Sequence, residues 1–413
     1  MKLQELCELI VDCEHKTAPT QDTGYPSIRT PNIGCGYFLL DGVNRVSEET
    51  YRLWTRRAVP QPGDLIMARE APVGNVAIIP PRLQPCLGQR TLLIRPDRSK
   101  VDPSFLNYFL NGPHVQGLIQ AKTNGATVAH LNMEDVRTME LPDLPPLTTQ
   151  RRTGEILSAY DDLIENNTRR IKILEEMAQI IYREWFVNFR FPGHEKVRMV
   201  ESEMGRIPEG WTVSKIAEFG AVITGKTPSK EKPELYGSGM PFIKLPDMHG
   251  TLFILDTNEK LSLLGQQSQP MKTIRPNSLC VSCIGTAGIV TITTEPSQTN
   301  QQINSLIPSS PSDREFLYFR LVDLKETINQ YGANGATMVN LNKTKFENLN
   351  LLKPDEALVQ HFHEVVSPTF EQIKNLLRRN RILRRTRDLL LPKLISGEVS
   401  IEDVKTETLN QIS

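Results

Sequence analysis

The chain has no run of 18 or more apolar residues, so no membrane-spanning helix is expected. Its first residues, MKLQELCELIVDCEHK, place no basic segment ahead of an apolar core, so they do not read as a secretory signal. Only six cysteines occur in 413 residues (Cys7, Cys13, Cys35, Cys86, Cys280 and Cys283). They have no framework spacing, which excludes a disulfide scaffold and suits a reducing cytoplasm. Net charge is also lacking, because 48 basic residues balance 48 acidic ones. Whole-chain charge therefore names no partner, and a nucleic-acid binder of this composition must localise its basic residues. Catalytic signatures are missing too. There is no Gly-x-Ser-x-Gly elbow, no Gly-rich cofactor loop and no Asn/Asp-Pro-Pro-aromatic motif, so the chain is not expected to be an enzyme.

What the chain does have is a duplication. Residues 123–132 read TNGATVAHLN and residues 333–342 read ANGATMVNLN, identical at six of ten positions at an offset of 210. A repeat of this kind sets the architecture before any local reading does. The plainer account of the decapeptide is a tight Asn-Gly turn, with Leu131 and Leu341 anchoring a strand; a direct role at a binding surface is the alternative.

The rest of the two halves aligns at offsets between 210 and 215. Leu3, Leu6, Leu9 and Ile10 correspond to Ile216, Phe219, Val222 and Ile223; YPSIRTP (25–31) corresponds to MPFIKLP (240–246). PGDLIMAREAPVGNVAII (62–79) corresponds to PNSLCVSCIGTAGIVTIT (276–293), and GQRTLLI (88–94) to QQINSLI (301–307). Short β-branched runs bounded by Gly and Pro predict buried strands, and Phe105-Leu106 and Phe316-Leu317 each open a short helix. Each half reads as a mixed α/β globule.

A long helical pattern follows each half. Apolar residues Ile156, Tyr160, Leu163, Ile164, Ile171, Leu174, Met177, Ala178, Ile181 and Trp185 recur at three- and four-residue steps from a start near Thr148 or Thr149. Val359, Phe362, Val366, Phe370, Ile373, Leu376, Leu383, Leu390 and Leu394 repeat the stripe. Each predicted helix lacks a partner within its own half, so the two are expected to pair with each other, antiparallel. Asn167 and Asn380 fall on the stripes near their midpoints, where buried Asn can fix register. Residues 191–210 read as a linker and 396–413 as a tail.

Several motifs tempt a chemical reading. Gly220–Thr227 fits G-x-x-x-x-G-K-[ST], but a phosphate loop must leave an apolar strand and open a helix, and here AVIT prefers β while Pro228 and Pro233 follow. Cys280-x-x-Cys283 lacks a second pair, so buried strand cysteines are the plainer reading. His361 and His363 read as surface residues, and Asp161-Asp162 and Glu175-Glu176 as solvated helix faces. From Lys374 to Lys393 eight basic residues face one acid, Asp388, which suits charge complementarity with the acidic first helix, a partner-docking surface, or phosphate contact. In the loops, side chains able to read base edges are Lys16, Arg29, Arg69, Gln89 and Arg90 in half one, and Lys226, Lys230, Lys244, Gln301 and Gln302 in half two.

Two globules each followed by a long helix, an IPEGW lead-in to the second, and PGDLIMARE-x-P-x-G-N-V-A together resemble the specificity subunit of type I restriction–modification systems, across nearly the whole chain. The resemblance implies an α+β fold: two similar target recognition domains (1–147 and 211–355) and conserved helices (148–190 and 356–395) pairing as an antiparallel coiled coil with pseudo-two-fold symmetry. Ile164, Asn167, Ile171, Leu174 and Ile181 would meet Ile373, Leu376, Asn380, Leu383 and Leu390 there. It also implies a non-catalytic, sequence-specific DNA-binding subunit. Such a subunit reads a bipartite asymmetric site in double-stranded DNA and directs two methyltransferase subunits and restriction/translocase subunits to it. S-adenosylmethionine, ATP and Mg are expected on those partners, and no cofactor or metal on this chain. A nucleotide-binding protein built on the 220–227 match, and a coiled-coil scaffold that binds no DNA, are the alternatives. Half two has NSLCVSCIGTAG where half one has GDLIMAREAPVG, so base contacts cannot be copied from one half to the other.

Overall fold

The computed structural model describes residues 1–123, 130–332, 341–396 and 398–399. Most of each decapeptide copy, and the expected tail beyond 399, lie outside the described residues. The chain divides into two compact units: Met1–Ile164 with the chain from Ile382 onward, and Glu165–Arg381. No helix among the described residues is long and apolar enough to cross a membrane.

The first unit contains β1 (Cys7–Asp12), β2 (Tyr25–Ile28), β3 (Arg45–Val46), α1 (Glu48–Trp54), β4 (Leu65–Ala68), β5 (Val76–Ile78), β6 (Cys86–Leu87), β7 (Thr91–Pro96), α2 (Pro103–Asn111), α3 (Pro113–Lys122) and α4 (Met133–Arg137). It also holds the start of α5 (Leu147–Phe186). An antiparallel sheet runs β1-β7-β4-β5, beside a smaller sheet β3-β2-β6. β4 is apolar throughout because it has a core on each side. Leu65 and Met67 pack with Phe105, Leu106 and Phe109 of α2, while Ile66 and Ala68 pack with Ile28, Ile33 and Leu87. Successive strand side chains point to opposite faces, so a strand sandwiched this way must be hydrophobic at every position.

The second unit repeats the scheme. Its elements are β8 (Met199–Ser202), β9 (Gly205–Pro208), β10 (Thr212–Lys215), β11 (Gly220–Thr224), β12 (Tyr236–Ile243), α6 (Leu245–Met248), β13 (Phe253–Ile254), β14 (Glu259–Leu261), α7 (Leu263–Ser268), β15 (Leu279–Ser282), β16 (Val290–Thr293), β17 (Gln298–Thr299), β18 (Ile303–Pro308), α8 (Arg314–Asp323), α9 (Lys325–Gly332), α10 (Lys343–Glu347), β19 (Asn350–Lys353) and α11 (Glu356–Ser396). The main sheet is β11-β18-β15-β16-β13 and the smaller one β14-β12-β17. β15 occupies the place of β4: Leu279 and Val281 face the α8 core, and Cys280 faces Ile243, Met248 and Ile303.

The strand pairings correct the alignment of the halves. Leu65 pairs with Ile94 and Leu279 with Leu306, so β7 and β18 correspond at an offset of 212, one residue from the 213 that the letters suggest. Likewise Ile10 pairs with Ile94 and Val222 with Leu306, so Ile10 matches Val222, and Leu9 matches Ala221. In β1 the cause is a register shift between Cys7 and Leu9 that β11 lacks: one extra residue in the first half lowers the offset there from 213 to 212.

Three other expectations change. Leu131 and Leu341 are buried but stand outside strands, each just ahead of a short helix (α4 and α10). The long helix α5 opens at Leu147, so Thr148 and Thr149 fall inside its first turn. The segment 191–210 is more than a linker: β8 and β9 pair as a hairpin whose turn ends at Gly205 (φ 89°).

Both long helices take part in each unit. In the second unit, Ile171, Ala178 and Tyr182 of α5 share a core with Phe362, Phe370, Ile373 and Leu376 of α11, with Leu174 and Ile181 partly buried against it. Trp185 stacks on His361 at 5.3 Å. Asn167 Nδ2 donates to Asn380 Oδ1 at 2.9 Å. Partners descend along α11 as they ascend along α5, so the helices run antiparallel there. In the first unit Leu157 packs with Leu394, and Leu390 lies against them.

Candidate nucleic-acid interface

In the first unit, the ends of β1 and β4 and the start of β7 meet at one sheet edge and bring a set of polar side chains together. Arg69 follows β4 and is only 7% exposed. Its Nη1 donates to Asp12 Oδ2 at 2.7 Å and its Nε to the Leu131 carbonyl at 2.9 Å. Its Nη2 lies 3.1 Å from His130 Nε2, and His130 Nδ1 lies 3.0 Å from Glu70 Oε1. A guanidinium can only donate, so Nε2 accepts and Nδ1 gives its hydrogen to Glu70. Glu70 Oε2 also pairs with Arg90 Nε at 2.9 Å, and His15 Nε2 approaches Asp12 Oδ2 at 3.3 Å. Arg90 has φ 64°, a left-handed backbone that few non-glycine residues adopt. The result is a chain of polar contacts from His15 through Asp12, Arg69, His130 and Glu70 to Arg90.

The second unit solves the same backbone problem with neutral groups. Cys283 stands where Arg69 does: its N–H bonds the Gln302 carbonyl as Arg69 bonds that of Arg90, and its carbonyl takes the Leu341 N–H as that of Arg69 takes Leu131. The donor to the Leu341 carbonyl now comes from the neighbouring strand, where Asn304 Nδ2 reaches it at 3.1 Å. Asn304 occupies the register position of Leu92, and Thr224, in the position of Asp12, donates to Asn304 Oδ1. The frame is held alike in both units while its charge differs.

Among the ten loop candidates, Lys16, Arg29, Arg90, Lys226, Lys230 and Gln301 are exposed. Among the described residues Lys16, Arg29, Lys226 and Lys230 have no ion-pair partner, whereas Arg90 leans on Glu70. Arg69 has its whole fork committed inside the domain. Gln89 is half-buried, its Nε2 3.3 Å from the His15 carbonyl. Lys244 pairs with Glu259 and lies 5.6 Å from the Phe242 ring centre. Gln301 accepts from Thr227, and Gln302 accepts from Asn300 at 2.9 Å. Sequence reasoning missed Asp12, Glu70, His130 and Asn304. For Asp12 and Asn304 the available signal was a polar residue at the end or in the middle of a largely apolar strand; Glu70 and His130 lie outside the strands.

The remaining motifs resolve structurally. Gly220–Thr224 is a strand hydrogen-bonded to β18, and residues after Lys226 open no helix, so backbone N–H groups do not converge on a phosphate. Burial pushes the Cys280 thiol up to about 12 and that of Cys283 up to about 11, as expected of inert strand cysteines. Asp12, Cys13 and His15 each bring a ligand atom within 4.8 Å of the others, but Asp12 is held by Arg69 and burial raises the Cys13 thiol. Both features work against a cation there.

Three expected surface groups are in fact engaged. His363 Nδ1 lies 2.7 Å from Glu315 Oε2, a fully buried carboxylate that Arg314 also binds. Asp161 accepts from Tyr108 Oη and pairs with Arg387, a cross-helix ion pair inside the first unit. Glu175 is half-buried, and burial raises its carboxyl. Elsewhere on α11, Arg378, Arg379, Arg384 and Arg385 are exposed without ion pairs among the described residues, so complementarity with α5 accounts for little of that basic run. A cleft of about 580 Å³, lined by Phe219, Asp313, Lys353 and Glu356 among others, contains none of the ten candidates.

A family profile described as type I restriction modification DNA specificity domain matches the chain twice, over residues 1–176 and 208–362. The type I restriction enzyme HindI specificity subunit of Haemophilus influenzae is 31% identical over 368 residues, covering 75% of this chain and 80% of that protein. The MjaIX specificity subunit of Methanocaldococcus jannaschii is 25% identical over 373 residues, covering 89% and 84%. Among solved structures, the type I restriction–modification S subunit from M. genitalium superposes with a TM-score of 0.61 at 16% identity, covering 96% of this chain and 95% of that one. At that identity the likeness establishes the fold.

Proposed function

The chain belongs to the type I restriction–modification DNA specificity family, and we propose that it reads an asymmetric DNA site in two parts, one per domain, and brings two adenine methyltransferase subunits and restriction/translocase subunits to that site. Sequence-specific DNA recognition within a type I system is the role its family carries, and the chain is a non-catalytic member of such a complex. The partners would bind S-adenosylmethionine, ATP and Mg, and this chain would supply only the address.

The observation that carries the two-part reading is the pair of equivalent sheet edges with unlike polar groups. One edge carries Arg90, Glu70 and His15 where the other carries Gln302, Ile284 and Thr227. Two identical readers would select a palindrome; two different readers on one frame select an asymmetric site. Exposed, unpaired lysines nearby suit phosphate contacts, which position a protein on DNA without specifying sequence. Partner docking is supported by Ile173, Met177 and Ile180 of α5, each more than half exposed at the spacing of one helix face.

The test is selection from a random duplex pool by the full chain assembled with its modification subunits. Two different half-sites at a constant gap are expected. One continuous motif, or two identical halves, would overturn the two-part reading.

A further inference from the structure

The second unit carries an apolar projection beside its lysine loop. Met271 is 84% exposed, Leu263 66% and Leu264 58%, all on α7 or the short 3-10 helix Pro270–Lys272 that follows it. Single exposed apolar residues need no explanation, but three on one short mounted element do. The corresponding α1 in the first unit begins with Glu48 and Glu49, so the apolar character belongs to this domain and not to the shared frame.

The mounting is rigid at both ends. At the first, Gly265 lies so close to the Leu235 carbonyl that a Cβ would sit 1.9 Å from its oxygen, and Ser262 N–H bonds the same carbonyl at 3.0 Å. At the second, the buried Gln269 donates through Nε2 to the Lys226 carbonyl and to Gln298 Oε1, both at 2.8 Å. Gln298, also buried, donates in turn to Thr273 Oγ1 at 3.0 Å and to the Gln266 carbonyl at 3.1 Å. The projection is thereby fixed to the loop that carries Lys226, Lys230 and Lys232, with Glu231 and Glu234 in the same stretch and Lys272 next to Met271. None of those four lysines has an ion-pair partner among the described residues.

Resting on the proposal that this domain reads duplex DNA, we propose that Met271, supported by Leu264, reads thymine by apolar contact with its 5-methyl group in the major groove, and so sets part of the second half-site. Lysines would hold the phosphates on either side while an uncharged tip meets the groove floor. Apolar contact with the thymine methyl is the one base-edge feature that such a side chain can recognise.

The experiment uses the full chain assembled with its modification subunits. Selection with wild type and with Met271→Ala first identifies any thymine position that relaxes in the variant. Uracil, which lacks the methyl, is then placed there. Wild type is expected to lose affinity about fourfold, the worth of one buried methyl group, while Met271→Ala loses nothing further and Met271→Leu behaves like wild type. An unchanged selected site in Met271→Ala, or an equal uracil effect in both proteins, overturns the assignment. If wild type selects no sequence at all, the DNA-reading proposal falls and this one with it. Because Met271 is exposed, matched thermal melts of the variants exclude misfolding as the cause.

Discussion

Asn167 on α5 and Asn380 on α11 are joined by a 2.9 Å hydrogen bond inside the second unit, and Asn380 also donates to Thr168 Oγ1 at 3.2 Å. Asn380 is 2% exposed and flanked along its helix by the buried Leu376 and Ile373. A polar pair in such a seam satisfies itself only when the helices are aligned one way, which penalises slipped registers.

The first prediction follows from that pair. Asn380→Leu alone leaves the Asn167 amide without its partner and should cost about 1–3 kcal/mol in denaturant unfolding. Asn167→Leu/Asn380→Leu should recover that loss, because both polar groups are gone. A double variant as unstable as the single one would contradict this account.

A second prediction concerns the donor exchange between the units. Arg69→Cys should cost roughly 3 kcal/mol or more, since it strands Asp12 and the Leu131 carbonyl. Adding Asp12→Thr and Leu92→Asn installs the groups that the second unit uses. The triple variant should melt well above Arg69→Cys; equal melting temperatures would mean that the two networks are not equivalent.

Glu175 gives a pH dependence. Burial raises its carboxyl above the ordinary 4.5, so the folded chain holds that proton to higher pH than the unfolded chain does. Its contribution is therefore fully present below pH 4.5 and is lost as pH rises through the raised folded value. Glu175→Gln should melt above wild type at pH 7, with the difference vanishing below pH 4.5. A constant difference across that range would refute the assignment.

Lys226 and Lys230 should act on phosphates. Replacing both with Ala should weaken binding to all duplex sequences alike and flatten the slope of log affinity against log salt by roughly 2, at about 0.9 per phosphate contact. A change confined to one base position would instead make them base readers.

The duplication and both long helices were legible because each rests on local spacing: a ten-residue match in one case, three- and four-residue steps in the other. The one-residue error at β7 and β18 has a physical origin. Both strands are buried almost throughout, so a slip leaves an apolar run looking much the same, and only the partner strand reveals the true register. Site chemistry was harder to read. Arg69 resembled a free base reader in its loop, and the carboxylate that binds it is 57 residues away in sequence. Met271 escaped notice for the opposite reason, since nothing in a sequence distinguishes a methionine that fills a core from one that stands in solvent.

The extra residue between Cys7 and Leu9 sets a rule for anyone building hybrid chains. Transferring β1 of one half in place of β11 in the other requires deleting a residue at that kink, whereas a cut made after Leu9 transfers cleanly at a shift of 212. Cutting by the letters instead would rotate each inward side chain of the graft to the outside, and a change intended to alter DNA preference would be scored as a failure to fold.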